Sequence, residues 1–140
     1  MKINDKITGC DPMPQTIMVV DDSPTIVKFV SFSLKNSGLR VATASDGMDA
    51  LEKISNMPED IALIITDLNM PNLDGYGLIS TLRQNPNHRQ TPIIILSSED
   101  GNDDRERGIE VGASSYLVKP FKPSLLLSEV SKYIKLEIKK

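Results

Sequence analysis

With 140 residues, 39% of them hydrophobic and 25% charged, and a formal net charge of -3 at pH 7, the chain has the make-up of one soluble globular domain with a core of its own. That balance excludes a protein held to nucleic acid by overall positive charge, and no apolar run approaches the ~18 residues that a membrane-spanning helix needs. A single cysteine, Cys10, and a single histidine, His88, exclude an internal disulfide and a zinc site of the usual kind.

Residues 1–15 read as a polar, flexible leader without the apolar core of a signal peptide, so a cytoplasmic location is expected. Residues 16–140 read as one domain. Thr16-Ile17-Met18-Val19-Val20 is a short apolar run that stops at Asp21-Asp22. Ser23-Pro24 supplies an N-cap and a proline at the first helical position. Val27, Val30 and Leu34 then recur on one helical face, and Gly38 is placed to close the helix. Arg40 to Ala44 is a second, less apolar strand, which suits a sheet edge. Asp46-Gly47 makes a turn into a helix from about Met48 to Asn56, with Leu51 and Ile54 inward, and Pro58 prevents its continuation.

The run from Ile61 to Ile65 is apolar throughout, as in a strand buried on both faces of a parallel sheet. It ends in Thr66-Asp67, and a loop containing Pro71 and Gly75 follows. Leu78, Ile79 and Leu82 predict a helix ending before Pro86, and His88 falls in the next surface loop. Ile93-Ile94-Ile95-Leu96 is a fourth run, stopped by Ser97. The helix expected from Asn102 to Val111 is mostly charged, with Ile109 and Val111 as its apolar anchors. Gly108 inside it, which costs about 1 kcal/mol relative to alanine, suggests a mobile element. Ser115 to Val118 is a fifth strand, followed by Lys119-Pro120. The last helix starts near Pro123 and places Leu127, Val130, Ile134 and Ile138 on one face. Lys132, Lys135, Lys139 and Lys140 read as a solvated face near its end.

Five alternations of strand and helix predict an α/β fold, a five-stranded parallel sheet covered on both faces in a doubly wound three-layer sandwich. In such sheets ligands bind at the carboxyl edge of the strands. Four runs end there in a distinctive polar group: Asp21-Asp22, Asp67, Ser97 and Lys119. Carboxylates crowded into one cleft repel, and two things offset that, a cation and the ammonium of Lys119. A hard divalent ion such as magnesium takes oxygen ligands. Carboxylates, a hydroxyl, a lysine and a metal make a phosphoryl-handling set, with a carboxylate as nucleophile.

These segments, together with Leu68-Asn69-Met70-Pro71, Asp74-Gly75 and Gly112-Ala113-Ser114-Ser115-Tyr116-Leu117-Val118-Lys119-Pro120-Phe121, resemble the receiver domains of two-component response regulators, most closely the single-domain chemotaxis type. The similarity runs from about Gln15 to Ile138. It implies a flavodoxin-like sheet in the order 2-1-3-4-5. It implies that Asp67 accepts a phosphoryl group from a phosphohistidine on a histidine kinase or histidine phosphotransfer protein. Asp22 and Asp67 would bind magnesium directly with the Asn69 backbone carbonyl, and Asp21 would act through water and charge. Ser97 and Lys119 would bind phosphoryl oxygens, and Lys119-Pro120 would be a cis peptide. Ser97 and Tyr116 would form the switch, altering the face made by the fourth helix, fifth strand and fifth helix, which binds an output partner the sequence does not identify. Asn69 and Glu99 occupy the positions that tune dephosphorylation, and their types match members with a short-lived phosphoryl state. Serine at 97 departs from the threonine of many members but keeps the hydroxyl.

Three other readings compete. A haloacid-dehalogenase-type phosphatase also uses an aspartate after a strand with magnesium, but wants a second aspartate where Asn69 stands. A dinucleotide-binding module has only a partial glycine pattern, in Gly75-Tyr76-Gly77. A receiver-like scaffold that takes no phosphoryl group has no need of all five of Asp21, Asp22, Asp67, Ser97 and Lys119. The chain is therefore expected to be a switch that catalyses only its own phosphorylation and dephosphorylation, without direct nucleic-acid binding.

Overall fold

A computed structural model describes residues 15–57, 61–97 and 102–134. Five strands alternate with five helices along the chain: β1 (Thr16–Val20), α1 (Pro24–Lys35), β2 (Arg40–Ala44), α2 (Gly47–Ser55), β3 (Ile61–Asp67), α3 (Gly75–Arg83), β4 (Ile93–Ser97), α4 (Asn102–Val111), β5 (Ser115–Val118) and α5 (Pro123–Ser131). All neighbouring strands are parallel, in the order β2-β1-β3-β4-β5. The doubly wound sandwich and its strand order are as expected, and the less apolar β2 does lie at an edge.

Successive side chains of a strand point to opposite faces, so each apolar run feeds two cores at once. Met18, Val20, Ile64, Ile93 and Ile95 pack with Ala50, Leu78, Ile79 and Leu82 beneath α2 and α3. Ile17, Val19, Leu63, Ile65, Ile94 and Leu96 pack with Val30, Leu34, Leu126 and Val130 beneath α1 and α5. The strand residues in both sets are fully buried, each such side chain contributing about 1.5–3 kcal/mol.

The helices begin and end for local reasons. Ser23 Oγ accepts from Ile26 N at the start of α1, with Pro24 in the first turn. Asp46 and Asp74 cap α2 and α3 in the same way. Past α1 the chain reverses at Gly38, whose φ of 84° is open to glycine at little cost, and Leu39 N returns to Leu34 O.

One side-chain expectation is corrected and one is incomplete. Ile109, expected to anchor the fourth helix, is 49% exposed. Val111, the other expected anchor, is half-buried against the core, and the helix comes closest to the sheet at Gly108, where an added Cβ would lie 2.5 Å from Ile95 Cδ1. That glycine is a close-approach position, so it gives no support to a mobile α4. In α5 Leu127 is half-buried against the core that holds Val130 and Ile134, as expected, and Leu126 beside it, not expected to face inward, is fully buried. Residues 1–14, Pro58, Glu99, Lys135, Ile138, Lys139 and Lys140 lie outside the described residues.

At the edge of the sheet remote from the strand ends, Arg83 ties three segments together. Its guanidinium donates to Gly112 O at 2.9 Å, His88 O at 2.9 Å and Thr91 O at 2.7 Å. Burial holds its pKa below the ordinary arginine value. Replacing it strands carbonyls that have lost a charged donor, which is costly in a partly dry setting. Arg83→Gln is expected to lower stability by about 2–3 kcal/mol, read from the urea midpoint at unchanged slope.

Candidate functional site

The parallel register turns strand ends into neighbours. Val20 pairs with Thr66, Asp67 with Leu96, and Ser97 with Val118. Asp21, Asp67, Ser97 and Lys119 therefore lie side by side along the carboxyl edge, although they come from four strands.

Asp21 is 2% exposed, and its position is heavily determined. Its backbone N donates to Ala44 O at 3.1 Å, its Oδ1 accepts from Ser23 N at 2.9 Å, and its Oδ2 accepts from Lys119 Nζ at 3.0 Å. The start of α1 thus orients one carboxylate oxygen and Lys119 the other. Asp22, next in the chain, is exposed. Asp67 ends β3 and is 8% exposed. Its Oδ1 accepts from Leu68 N at 2.9 Å and lies 3.5 Å from Lys119 Nζ. Asp21, Asp22 and Asp67 each offer a carboxylate oxygen, and these oxygens lie within 4.8 Å of one another.

Burial pushes the Asp67 carboxyl above the usual carboxylate range, and the Asp21 carboxylate adds to the effect. The Lys119 ammonium and the Leu68 N–H oppose both. An all-oxygen, anionic donor set of this kind suits a hard divalent cation such as magnesium.

Ser97 is 1% exposed at the end of β4, and its carbonyl accepts from Lys119 N at 2.7 Å. That bond extends the β4–β5 pairing by one step and carries Lys119 to the edge. The Lys119-Pro120 peptide is cis, as the resemblance implies. Tyr116 lies on β5 opposite Ile95, half-buried against the core beneath α2 and α3. Asn69 is exposed, two residues beyond Asp67. The structure brings Asp21, Asp22, Asp67 and Lys119 into direct proximity and sets Ser97 on the adjoining strand end. It leaves Tyr116 two residues short of the end of β5.

Sequence reasoning read Asp46 as a turn residue and Gly75 as part of the resemblance, and gave neither these nor Asn72 a place in the site. A Cβ on Gly75 would clash with Asp67 O, and Gly75 N donates to Leu68 O at 2.9 Å. The start of α3 is thus pressed against the backbone of Asp67. Asp46 is buried, and its Oδ2 accepts from Asn72 Nδ2 at 2.7 Å. The Asp-Gly pair at 46–47 signalled a turn, and a cap could be read from it. Its contact with a loop 26 positions along could not.

A family model described as "Response regulator receiver domain" matches residues 17–131. Protein PilG of Pseudomonas aeruginosa is 42% identical over 118 residues, covering 84% of this chain and 86% of that protein. The chain spans about half the length of several transcriptional regulators that it also matches at about 40% identity. Among solved structures, chemotaxis response regulator CheY4 of Vibrio cholerae superposes with a TM-score of 0.81 at 34% identity, over 87% of this chain and all of that one. The receiver domain of a Pseudomonas aeruginosa sensor histidine kinase, solved with a magnesium ion coordinated in its active site cleft, superposes with a TM-score of 0.78 at 30% identity, over 86% and 98% of the two chains.

The upward shift at Asp67 has a consequence for stability. A carboxyl whose pKa rises on folding holds its proton more tightly in the folded chain. Its favourable contribution is complete below the unfolded value of about 3.8 and is lost as pH rises through the folded value. Asp67→Asn carries no charge at any pH. It is expected to melt a few degrees above the wild type at pH 7 in EDTA, with the gap closing below about pH 3.8, as read by scanning calorimetry.

Proposed function

The chain belongs to the family of response regulator receiver domains, the phosphorylation-controlled switches of two-component systems, and from that membership we propose that Asp67 is its phosphoacceptor. The observation that carries this reading is the position of the Asp67 carboxylate. It stands at the carboxyl edge of the sheet, 3.5 Å from the Lys119 ammonium and grouped with Asp21 and Asp22.

The donor is a phosphohistidine on a histidine kinase or histidine phosphotransfer protein. An Asp67 oxygen attacks phosphorus, a P–O bond forms, the P–N bond breaks, and the imidazole leaves with the electron pair. Lys119 pairs with one phosphoryl oxygen and the Ser97 hydroxyl donates to another, so charge gathered on the transferred group meets fixed partners. Asp22, Asp67 and the Asn69 carbonyl are the groups that hold magnesium, with Asp21 acting through water and charge. Magnesium when bound supplies charge neutralisation at the phosphoryl oxygens. Hydrolysis reverses the state: water attacks phosphorus, the P–O bond to Asp67 breaks, and carboxylate and inorganic phosphate result. Asn69 and Glu99 set how long the phosphoryl group survives. The chemistry is confined to this one side chain, so the output is a binding event and not turnover of a substrate.

Movement of Ser97 toward the phosphoryl group and inward rotation of Tyr116 change the face formed by α4, β5 and α5, which recruits the output partner. Phosphorylation need only bias an existing equilibrium by about 1–3 kcal/mol. Among the described residues no helix is long and apolar enough to cross a membrane, in keeping with a cytoplasmic switch.

Intact mass after incubation with acetyl phosphate and magnesium tests the assignment. Wild type is expected to gain one phosphoryl group, Asp67→Asn none, and EDTA to abolish the gain. Equal gain by both proteins places the acceptor elsewhere.

A further inference from the structure

The turn between β2 and α2 touches both carboxylate-bearing segments of the site, from the side away from Lys119. On one flank Ala44 O accepts from Asp21 N at 3.1 Å. On the other, two bonds reach the loop that follows Asp67. Asp46 Oδ2 accepts from Asn72 Nδ2 at 2.7 Å, and Gly47 N donates to Leu73 O at 3.0 Å. A Cβ at Gly47 would lie 2.6 Å from that same Leu73 oxygen, so the two segments are in close backbone contact.

Asp46 uses its two oxygens for different purposes. Oδ1 accepts from Asp49 N at 2.8 Å, which completes the N-cap of α2. The bond from Asn72 to Oδ2 adds nothing that the cap requires. It binds a residue held at φ 66°, a left-handed conformation that asparagine tolerates better than most side chains. The base of the same loop is closed by Gly75 N to Leu68 O at 2.9 Å, and its tip is bent by Leu73 N to Pro71 O at 2.7 Å. Between base and tip lies Asn69. A loop gripped in this way presents its backbone carbonyls in one arrangement, and a cation that uses one of them does not have to order the loop on binding.

We propose that Asp46 and Asn72 form a positioning pair, which holds the 68–74 loop in the shape that receives a divalent cation beside Asp67. This rests on the reading of Asp67, Asp22 and the Asn69 carbonyl as the cation's ligands. The pair touches neither the cation nor the phosphoryl group, and it acts through the loop backbone.

Isothermal titration of magnesium into the unphosphorylated chain, on wild type, Asp67→Asn, Asn72→Asp, Asn72→Gly and the exchange Asp46→Asn with Asn72→Asp, tests the pair. Asn72→Asp sets two carboxylates against each other and opens the loop. It is expected to weaken magnesium binding about tenfold, the lower end of what outer partners contribute, although its added negative charge by itself favours a cation. The exchange returns a donor to one side and an acceptor to the other at the wild-type net charge, and affinity is expected to recover to within about threefold of wild type, well inside the tenfold loss. Asn72→Gly keeps the left-handed backbone without the amide and is expected to lose affinity in the same direction. Wild-type affinity in both Asn72→Asp and Asn72→Gly overturns the proposal, as does a folded exchange variant that fails to recover. Magnesium binding that is absent from wild type, or unchanged in Asp67→Asn, overturns the site reading instead.

Discussion

The ammonium of Lys119, 3.0 Å from Asp21 and 3.5 Å from Asp67, is the group around which the acidic edge is arranged. Two largely buried carboxylates at that range would repel in a setting where water does little to screen them. One lysine between them makes the pair tolerable without neutralising it, and burial still lifts the Asp67 carboxyl above its ordinary range. Three carboxylates against one ammonium leave the site short of positive charge. That deficit is the physical basis for proposing a divalent cation there.

This arrangement is only as good as the backbone that delivers it. Lys119 reaches the edge because its N–H continues the β4–β5 pairing onto Ser97 O, so the hydroxyl-bearing and ammonium-bearing residues are joined through their backbones. Asp21 is fixed by β2 on one side and by the first turn of α1 on the other. Asp67 is fixed by its own strand and by the start of α3, where Gly75 allows contact that no side chain would permit. The three central strands, which carry Asp21, Asp67 and Ser97, are buried on both faces and set those positions with little play, since shifting one would disturb two cores at once. The loops above the edge lack that support, so their shape depends on discrete polar ties such as the one between Asp46 and Asn72.

The helices show a different division. α1 is held to the sheet by fully buried aliphatic residues, and Arg83 anchors the end of α3 and the start of β4 from beneath. α4 approaches β4 through Gly108 with Ile109 turned to solvent, and Arg107 lies over the Tyr76 ring at 4.0 Å. Among the described residues its contacts with the rest of the domain are thus the close approach at Gly108, the half-buried Val111 packed against the core, and a cation–π contact to α3.

Much of this could be read directly from the amino-acid order. The strands are visible because burial on both faces demands uninterrupted apolar runs, and their ends are visible because Asp21, Asp67, Ser97 and Lys119 interrupt them. Once the strands are taken as parallel, the convergence of those residues follows from topology. Ile109 misled because a β-branched residue in a charged helix looks like an anchor, whereas the sheet there leaves room only for a glycine. Leu126 went unremarked among three consecutive leucines, since periodicity alone does not say which of adjacent residues faces inward. The grip of Asp46 on Asn72 and the pressure of Gly75 on Asp67 joined segments through space, and nothing in local spacing announces such a contact. The sequence by itself therefore determined the alternation, the faces and the chemical groups at the edge, because those depend on short-range pattern. Tertiary structure alone decided the distances between carboxylates and ammonium, the seat of α4 and the ties across the loops, because those depend on how distant segments pack.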